Sequence, residues 1–268
     1  MPANEPTSEQ VSCWEAEQRD IATTICLTEE DPDLLSHVKY IAGVDLSFLS
    51  KERFHADQRD FDYAAAGVVV VKYPSMEVVC FLHEVLPLPI PYISGLLAVR
   101  EAPPLLRLFE RLKVEHPEFY PDLLMVDGNG IWHPRMCGLA TTLSHTLSIP
   151  TIGVSKKLME LPSFTKDMLK EETMPHLQTR GDWAVIKPRD MIPGLPDDRQ
   201  PVAAAVLTGE SHKPIFVSQG GHISLETAVK VVSAVSHVRI PQPIRAADHA
   251  TRDLIAEYYE SHQSPVNE

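Results

Sequence analysis

The sequence predicts an α/β fold with a mixed central sheet flanked by helices. Three observations carry that prediction. Three strand-like apolar segments follow one another between residues 40 and 85; helical and strand patterns then alternate; and two of the short apolar runs carry an aspartate, Asp45 and Asp127, followed by a change in chain direction. Short apolar runs that stop at glycine and asparagine are typical of buried strands in α/β sheets.

Taken in order, residues up to about 7 are polar and read as frayed. Residues 8–27 form a helix, because Val11, Trp14, Ile21 and Ile25 fall near helical spacing with Glu and Gln between them. An acidic, proline-containing connection over 29–36 leads to the first strand, 40–47, with Asp45 near its end. Residues 48–63 are a polar loop at a hairpin tip, 64–72 a valine-rich strand, 73–76 a turn and 77–85 a third strand, together a meander. Residues 86–94 hold Pro87, Pro89 and Pro91 and read as neither helix nor central strand. A leucine-rich helix over 96–113 contains Pro103 and Pro104, which predict a kink or a restart after Ala102.

The run Leu123 to Val126 reads as a buried strand ending at Asp127, where Gly128, Asn129 and Gly130 break the chain. A helix over 134–147 has Met136, Leu139, Leu143 and Leu147 on its apolar face, and 150–154 is the next strand. Residues 162–201 read as an insertion or loose β region with a turn at Pro193-Gly194. A hairpin over 202–208 and 215–218 follows, then a helix over 225–237 capped by Ser224, an extended stretch over 238–243, and a final helix over 244–261 with Asp248 in its first turn. Residues 1–262 make one domain and 263–268 a disordered tail.

Composition narrows the class. The 268 residues can fill a substantial core, and no stretch is long and apolar enough to span a bilayer. The N-terminus carries neither signal-peptide nor presequence features. Cys13, Cys26, Cys80 and Cys137 are scattered without a C-x-x-C pair, as in reduced cytosolic or nuclear proteins, and make a structural zinc site improbable. A net charge of −13 argues against a protein that coats nucleic acid nonspecifically, but carboxylates gathered to hold divalent metals would themselves add negative charge.

Several residues invite two readings. An acid inside an apolar strand, as at Asp45, is costly to bury unless paired or metal-bound; the plain alternative is a solvated strand end. Asp127 either turns the chain or sits at the carboxyl edge of a central strand, where open α/β sheets place ligands. Tyr92, at the tip of the proline-stiffened loop, either packs into the core or wedges into stacked bases. Glu101 beside Arg100 is a surface charge or points into a site. Lys156 and Lys157, at the carboxyl end of strand 150–154, are a solvated pair or supply a cation to a phosphate or leaving oxyanion. Asp248 is a helix-dipole residue or an additional acid.

The order of elements, a meander followed by alternating helices and strands, resembles the ribonuclease H-like fold. That resemblance places Asp45, Glu101 and Asp127 side by side, where hard oxygen ligands suit Mg²⁺, with Mn²⁺ able to substitute. The motifs Ile41-Ala-Gly-Val-Asp45, Pro91-Tyr-Ile-Ser-Gly95 continuing to Arg100-Glu101, Val126-Asp-Gly-Asn-Gly130 with His133-Pro-Arg135, and Gly153-Val-Ser-Lys-Lys157 look like the successive motifs of endonuclease V. The resemblance runs from about Trp14 to Asp248. It implies a metal-dependent endonuclease that cuts the second phosphodiester 3′ to inosine, leaving 3′-hydroxyl and 5′-phosphate ends.

By position, the resemblance makes Asp45, Glu101 and Asp127 metal ligands, Asp248 a further acid and Lys156 the phosphate contact. It places Tyr92 in the gap left by the base, Gly95, Leu97, Gly128 and Gly138 around the flipped hypoxanthine, and His133 against a phosphate or at a helix start. Ser94 stands where many members have proline and Asn129 where bacterial members often have histidine, so the chain looks like the eukaryotic branch, which favours inosine in RNA. The implied partners are inosine-containing RNA and deoxyinosine-containing DNA, bound by a monomer in the cytoplasm or nucleus. Two alternatives stay open: another ribonuclease H-like nuclease without inosine specificity, and a non-catalytic binder of inosine-containing RNA.

Overall fold

The computed structural model describes residues 5–27, 31–48, 62–195 and 199–261. One eight-stranded sheet forms its centre, in the order β3-β2-β1-β4-β5-β8-β7-β6. Strands β1 (Tyr40–Phe48), β2 (Asp62–Lys72) and β3 (Glu77–Leu88) make the antiparallel meander. Strands β4 (Leu123–Asp127) and β5 (Thr151–Ser155) lie parallel to β1, and β8 (Ile215–Gly221), β7 (Ala203–Val206) and β6 (Trp183–Ile186) complete the sheet, each antiparallel to the strand before it.

Helices cover both faces. Helices α2 (Leu97–Glu115) and α3 (Leu139–Leu147) pack on one face through Leu105, Leu108, Leu112, Ala140 and Leu143, against Ala42, Val44, Leu124 and Val126. Helices α4 (Leu225–Ala234) and α5 (Gln242–Ser261) cover the other, setting Val231, Val232, Ile244 and Ala247 against Ile41, Leu123, Met125, Ile152 and Val154. Helix α1 (Ser8–Thr24) opens with a capping box in which Gln10 N donates to Thr7 Oγ1 and Gln10 Oε1 accepts from Thr7 N. Ser224 caps α4 by accepting from Thr227 N. Among the described residues no helix is long and apolar enough to cross a membrane.

Gly43 and Gly67 allow α5 to lie directly on the meander. A Cβ at 43 would overlap the Pro243 carbonyl, and one at 67 would stand 2.5 Å from Thr251 Cγ2. The helix can approach only where the sheet surface has no side chains, and this approach carries Asp248 and Thr251 to the end of β1.

Several expectations change. Strand β3 runs on to Leu88, with Pro87 opposite Tyr63, because β3 is an edge strand and Pro is tolerated there. Helix α2 is unbroken through Pro103 and Pro104; its buried face continues from Ala98 and Ala102 to Leu105 and Leu108, so packing outweighs the two missing donors. The helix expected over 134–147 starts only at Leu139. Its first residues are tied elsewhere: Arg135 N donates to His133 Nδ1, Gly138 N to Gly130 O and Ala140 N to Asn129 O, and Met136 has φ 50°. Helix α5 begins at Gln242, which puts Asp248 in the second turn, beyond the reach of a first-turn dipole role. The Gln219-Gly220-Gly221 stretch belongs to β8. Region 162–201 holds single helical turns and the edge strand β6. The tail 263–268 and most of the loop 48–63 lie outside the described residues.

Candidate active site

Strand register gathers the charged residues. Val44 pairs with Val126, and Asp127 pairs with Val154, so Asp45 and Asp127 follow one another across neighbouring parallel strands. Side chains alternate along a strand. Asp45 therefore shares a face with Ile41, Asp127 with Leu123 and Met125, and Lys156 with Ile152 and Val154, all on the side covered by α5. Glu101 comes from the second turn of α2, buried at the same edge.

The aspartates and the lysine have defined partners. Asp45 Oδ2 accepts from Thr251 Oγ1 at 2.8 Å and from Ser47 Oγ at 3.2 Å. Lys156 Nζ lies 2.6 Å from Asp127 Oδ2, and Asp248 Oδ1 pairs with Arg252 at 2.9 Å. Arg239 donates to the Lys156 carbonyl at 2.7 Å and to Pro214 O at 2.9 Å, fixing the backbone that carries the lysine.

The electrostatics describe crowded carboxylates. Burial pushes the Glu101 carboxyl up to about 8, against the pull of Arg100, with Asp45 and Asp127 adding to the rise. Asp45 is also raised, first by burial and then by the charges of Asp127 and Asp248, although Thr251 acts in the opposite direction. For Lys156, burial acts downward but is overcome by the hydrogen bond and charge of Asp127, with Asp248 and Asp45 adding, so its ammonium is favoured.

This donor set fits a divalent cation in type and charge: several hard carboxylate oxygens converge with one lysine as counter-charge. Among the described residues no three acidic, histidine or cysteine side chains are gathered tightly enough to grip an ion as they stand. Asp45, Asp127 and Asp248 are instead turned towards hydroxyl, ammonium and guanidinium partners, which an ion would have to displace.

A cavity of about 530 Å³ adjoins Asp127. The structure brings Tyr92, Gly95, Leu97, Gly128, His133 and Gly138 together around it, and Lys157, Glu160 and Lys166 also line it. Tyr92 is 69% exposed, so it is not a core residue. His133 differs from the expected phosphate contact. It is buried, its Nε2 meets Gly95 O at 3.0 Å, and its Nδ1 accepts from Arg135 N at 3.1 Å, so neither nitrogen is left to reach a phosphate. Burial, reinforced by the Arg135 charge, lowers its pKa to about 4 and keeps the ring neutral.

Sequence reasoning did not single out Ser47, Thr251, Arg239 or Gln18. Gln18 carried a faint signal, since it stands on the Trp14–Ile21–Ile25 stripe where an apolar residue is expected; Arg239 carried none.

Acidic residues at the carboxyl ends of two adjacent parallel strands, beside an antiparallel meander and with a lysine on the next strand, define a nuclease of the ribonuclease H-like class. Residues 19–249 match the family model of Endonuclease V. Human Endonuclease V is 33% identical over 259 residues, 94% of this chain and 86% of that protein. The solved catalytic domain of the human protein superposes with a TM-score of 0.82 at 33% identity, covering 95% of this chain and 99% of that one. Endonuclease V of Ciona intestinalis, solved with a 23-nucleotide DNA containing an inosine followed by a ribo-adenosine, gives a TM-score of 0.81 at 32% identity over 94% of this chain and 100% of that one. The chain belongs to the Endonuclease V family and is an endonuclease with a ribonuclease H-like fold.

Proposed function

We propose that the protein is a divalent-metal-dependent endonuclease that takes an inosine base into the cavity beside Asp127 and hydrolyses the second phosphodiester on its 3′ side. The products are a 3′-hydroxyl and a 5′-phosphate. Single-stranded RNA is the preferred substrate, and deoxyinosine in DNA is also cut. The observation that carries this reading is a cavity, large enough to admit a base, that is lined by Asp127 at the edge where Asp45, Glu101 and Lys156 also gather.

Asp45, Glu101 and Asp127 would hold Mg²⁺ or Mn²⁺, with Asp248 adjoining them. When bound, the metal supplies Lewis-acid stabilisation of attacking and leaving oxygens. Lys156 neutralises charge at the scissile phosphate, its ammonium held by Asp127 and its backbone by Arg239. Exposed Tyr92 occupies the gap left in the base stack, and extrusion is favoured because inosine pairs less stably than guanosine. His133 stays neutral and orients Gly95.

Support for RNA comes from Ser94 and Asn129, which resemble the eukaryotic branch. The Ciona protein was solved with a DNA strand that carries one ribonucleotide after its inosine, so a ribose at that position is accommodated in that relative. Four free cysteines support a reducing compartment, cytoplasm or nucleus. In the test, wild type and Asp127→Ala are incubated with inosine-containing strands and Mg²⁺ or Mn²⁺. Cleavage that disappears in the variant, with its circular dichroism unchanged, supports the assignment; full residual cleavage refutes it.

A further inference from the structure

The main-chain oxygen of Gly95 accepts three side-chain hydrogen bonds: from Gln18 Nε2 at 3.1 Å, His133 Nε2 at 3.0 Å and Arg135 Nη2 at 2.7 Å. Three donors on one carbonyl, two of them from buried side chains, fix the orientation of that peptide plane. Gly95 has φ 80°, a conformation that favours glycine, and a Cβ there would stand 3.0 Å from Arg135 Nη2.

Gln18 does more than add one donor. Its Nε2 also donates to Cys137 O at 2.9 Å, and its Oε1 accepts from Arg135 Nε at 2.6 Å. Arg135 in turn pairs with Glu15 at 3.1 Å. Gly95 and Gly138 lie on the cavity wall, and Gln18 borders the same cavity. One buried amide from α1 thus ties the loop carrying Tyr92 and Gly95 to the Cys137–Gly138 segment. A buried glutamine on the apolar stripe of a helix is costly unless its amide is fully engaged, and here both its oxygen and its nitrogen are. The residue stands just before residues 19–249, the stretch matched by the family model.

We propose that Gln18 is a positioning residue for base selectivity, holding the two glycine-bearing walls of the cavity at the spacing that accepts hypoxanthine. The inference rests on the inosine reading of the cavity. Gln18 touches neither the reacting phosphate nor the carboxylates; it acts through Gly95, Cys137 and Arg135. It also gives helix α1 a part in recognition rather than in packing alone.

The test compares wild type with Gln18→Glu. Glutamate keeps an oxygen for Arg135 Nε but, when ionised, has no donor for the Gly95 and Cys137 carbonyls. Binding to matched single strands containing inosine or guanosine is measured by fluorescence anisotropy in EDTA, and KM and kcat on the inosine strand in Mg²⁺. Loss of buried hydrogen bonds on the pocket walls predicts inosine affinity lower by about tenfold or more, with a much smaller change for guanosine and KM affected more than kcat. Gln18→Met, which removes the polar groups but is unstrained in a helix, is expected to behave alike, and it serves if Gln18→Glu does not fold. Unchanged inosine selectivity in a folded variant overturns the inference, as does an equal loss for both strands. Wild type that binds inosine and guanosine equally overturns the inosine reading itself, and the inference with it.

Discussion

Acidification should unlock the Gly95 network through His133. The ring is buried, and its tautomer is set by accepting from Arg135 N while donating to Gly95 O. A second proton on Nδ1 would remove that acceptor and place a cation beside the Arg135 guanidinium. The folded pKa is about 4 against 6.5 for an ordinary histidine. Between these values the unfolded chain binds more protons than the folded one, so the histidine's contribution is complete above pH 6.5 and is lost as pH falls towards 4. Linkage puts the loss at about 2 kcal/mol at pH 5 and about 3 kcal/mol at pH 4. Urea unfolding in EDTA at pH 7, 6 and 5 tests this in wild type and His133→Gln, which retains a donor near the Nε2 position but does not titrate. Other ionisable groups are common to both proteins, so the difference isolates His133. Wild type should be the more stable at pH 7, and its advantage should shrink by about 2 kcal/mol by pH 5. A stability difference that stays flat across this range would refute a buried, neutral His133.

Glu101→Gln should stabilise the metal-free protein at pH 8 relative to wild type. Because the folded pKa of Glu101 is raised to about 8, its stabilising protonated form is fully retained below about pH 4.5 and lost as pH rises towards 8. The cost accumulated by pH 8 is on the order of 4 kcal/mol; thermal melts in EDTA at pH 5 and pH 8 should show the variant's gain at the higher pH only, and the variant should lose the melting shift that Mn²⁺ gives wild type. Gly43→Ala should destabilise by about 1–3 kcal/mol through overpacking against Pro243. Because the same contact carries Thr251 and Asp248 to Asp45, cleavage should fall further than stability alone accounts for, as activity assays well below the variant's melting temperature would reveal.

The sheet and its charged edge were largely legible in the sequence. The strands at 40–47, 123–126 and 150–154 are dense apolar runs with sharp ends, and parallel pairing through matched registers leaves few places for Asp45, Asp127 and Lys156 except one edge. Grouping of Tyr92, Gly95, Leu97, Gly128, His133 and Gly138 came from motif resemblance; no periodicity links them, and the structure sets them around one cavity. The stretch 134–138 reads as helix because its apolar spacing is helical, while its backbone donors go elsewhere, Arg135 N to His133 Nδ1, Met136 N to His133 O and Gly138 N to Gly130 O. Asp248 falls in a first turn if residues 238–243 are read as extended, whereas the helix begins at Gln242 and takes Pro243 in its own first turn. Thr251 and Arg239 act through partners 206 and 83 residues away, a separation at which local pattern carries no information, and Gln18, whose partner is 119 residues away, shows only as a polar residue on an apolar stripe.

The most direct measurement is product mapping on matched single strands, one with inosine in RNA and one with deoxyinosine in DNA, each beside a guanosine control, in Mg²⁺ and in Mn²⁺. The account predicts one cut at the second phosphodiester 3′ to inosine, a 5′-phosphate on the downstream product, stronger cleavage of RNA, and no product in EDTA. Equal cutting of inosine and guanosine strands, or cleavage that persists without a divalent metal, would contradict it.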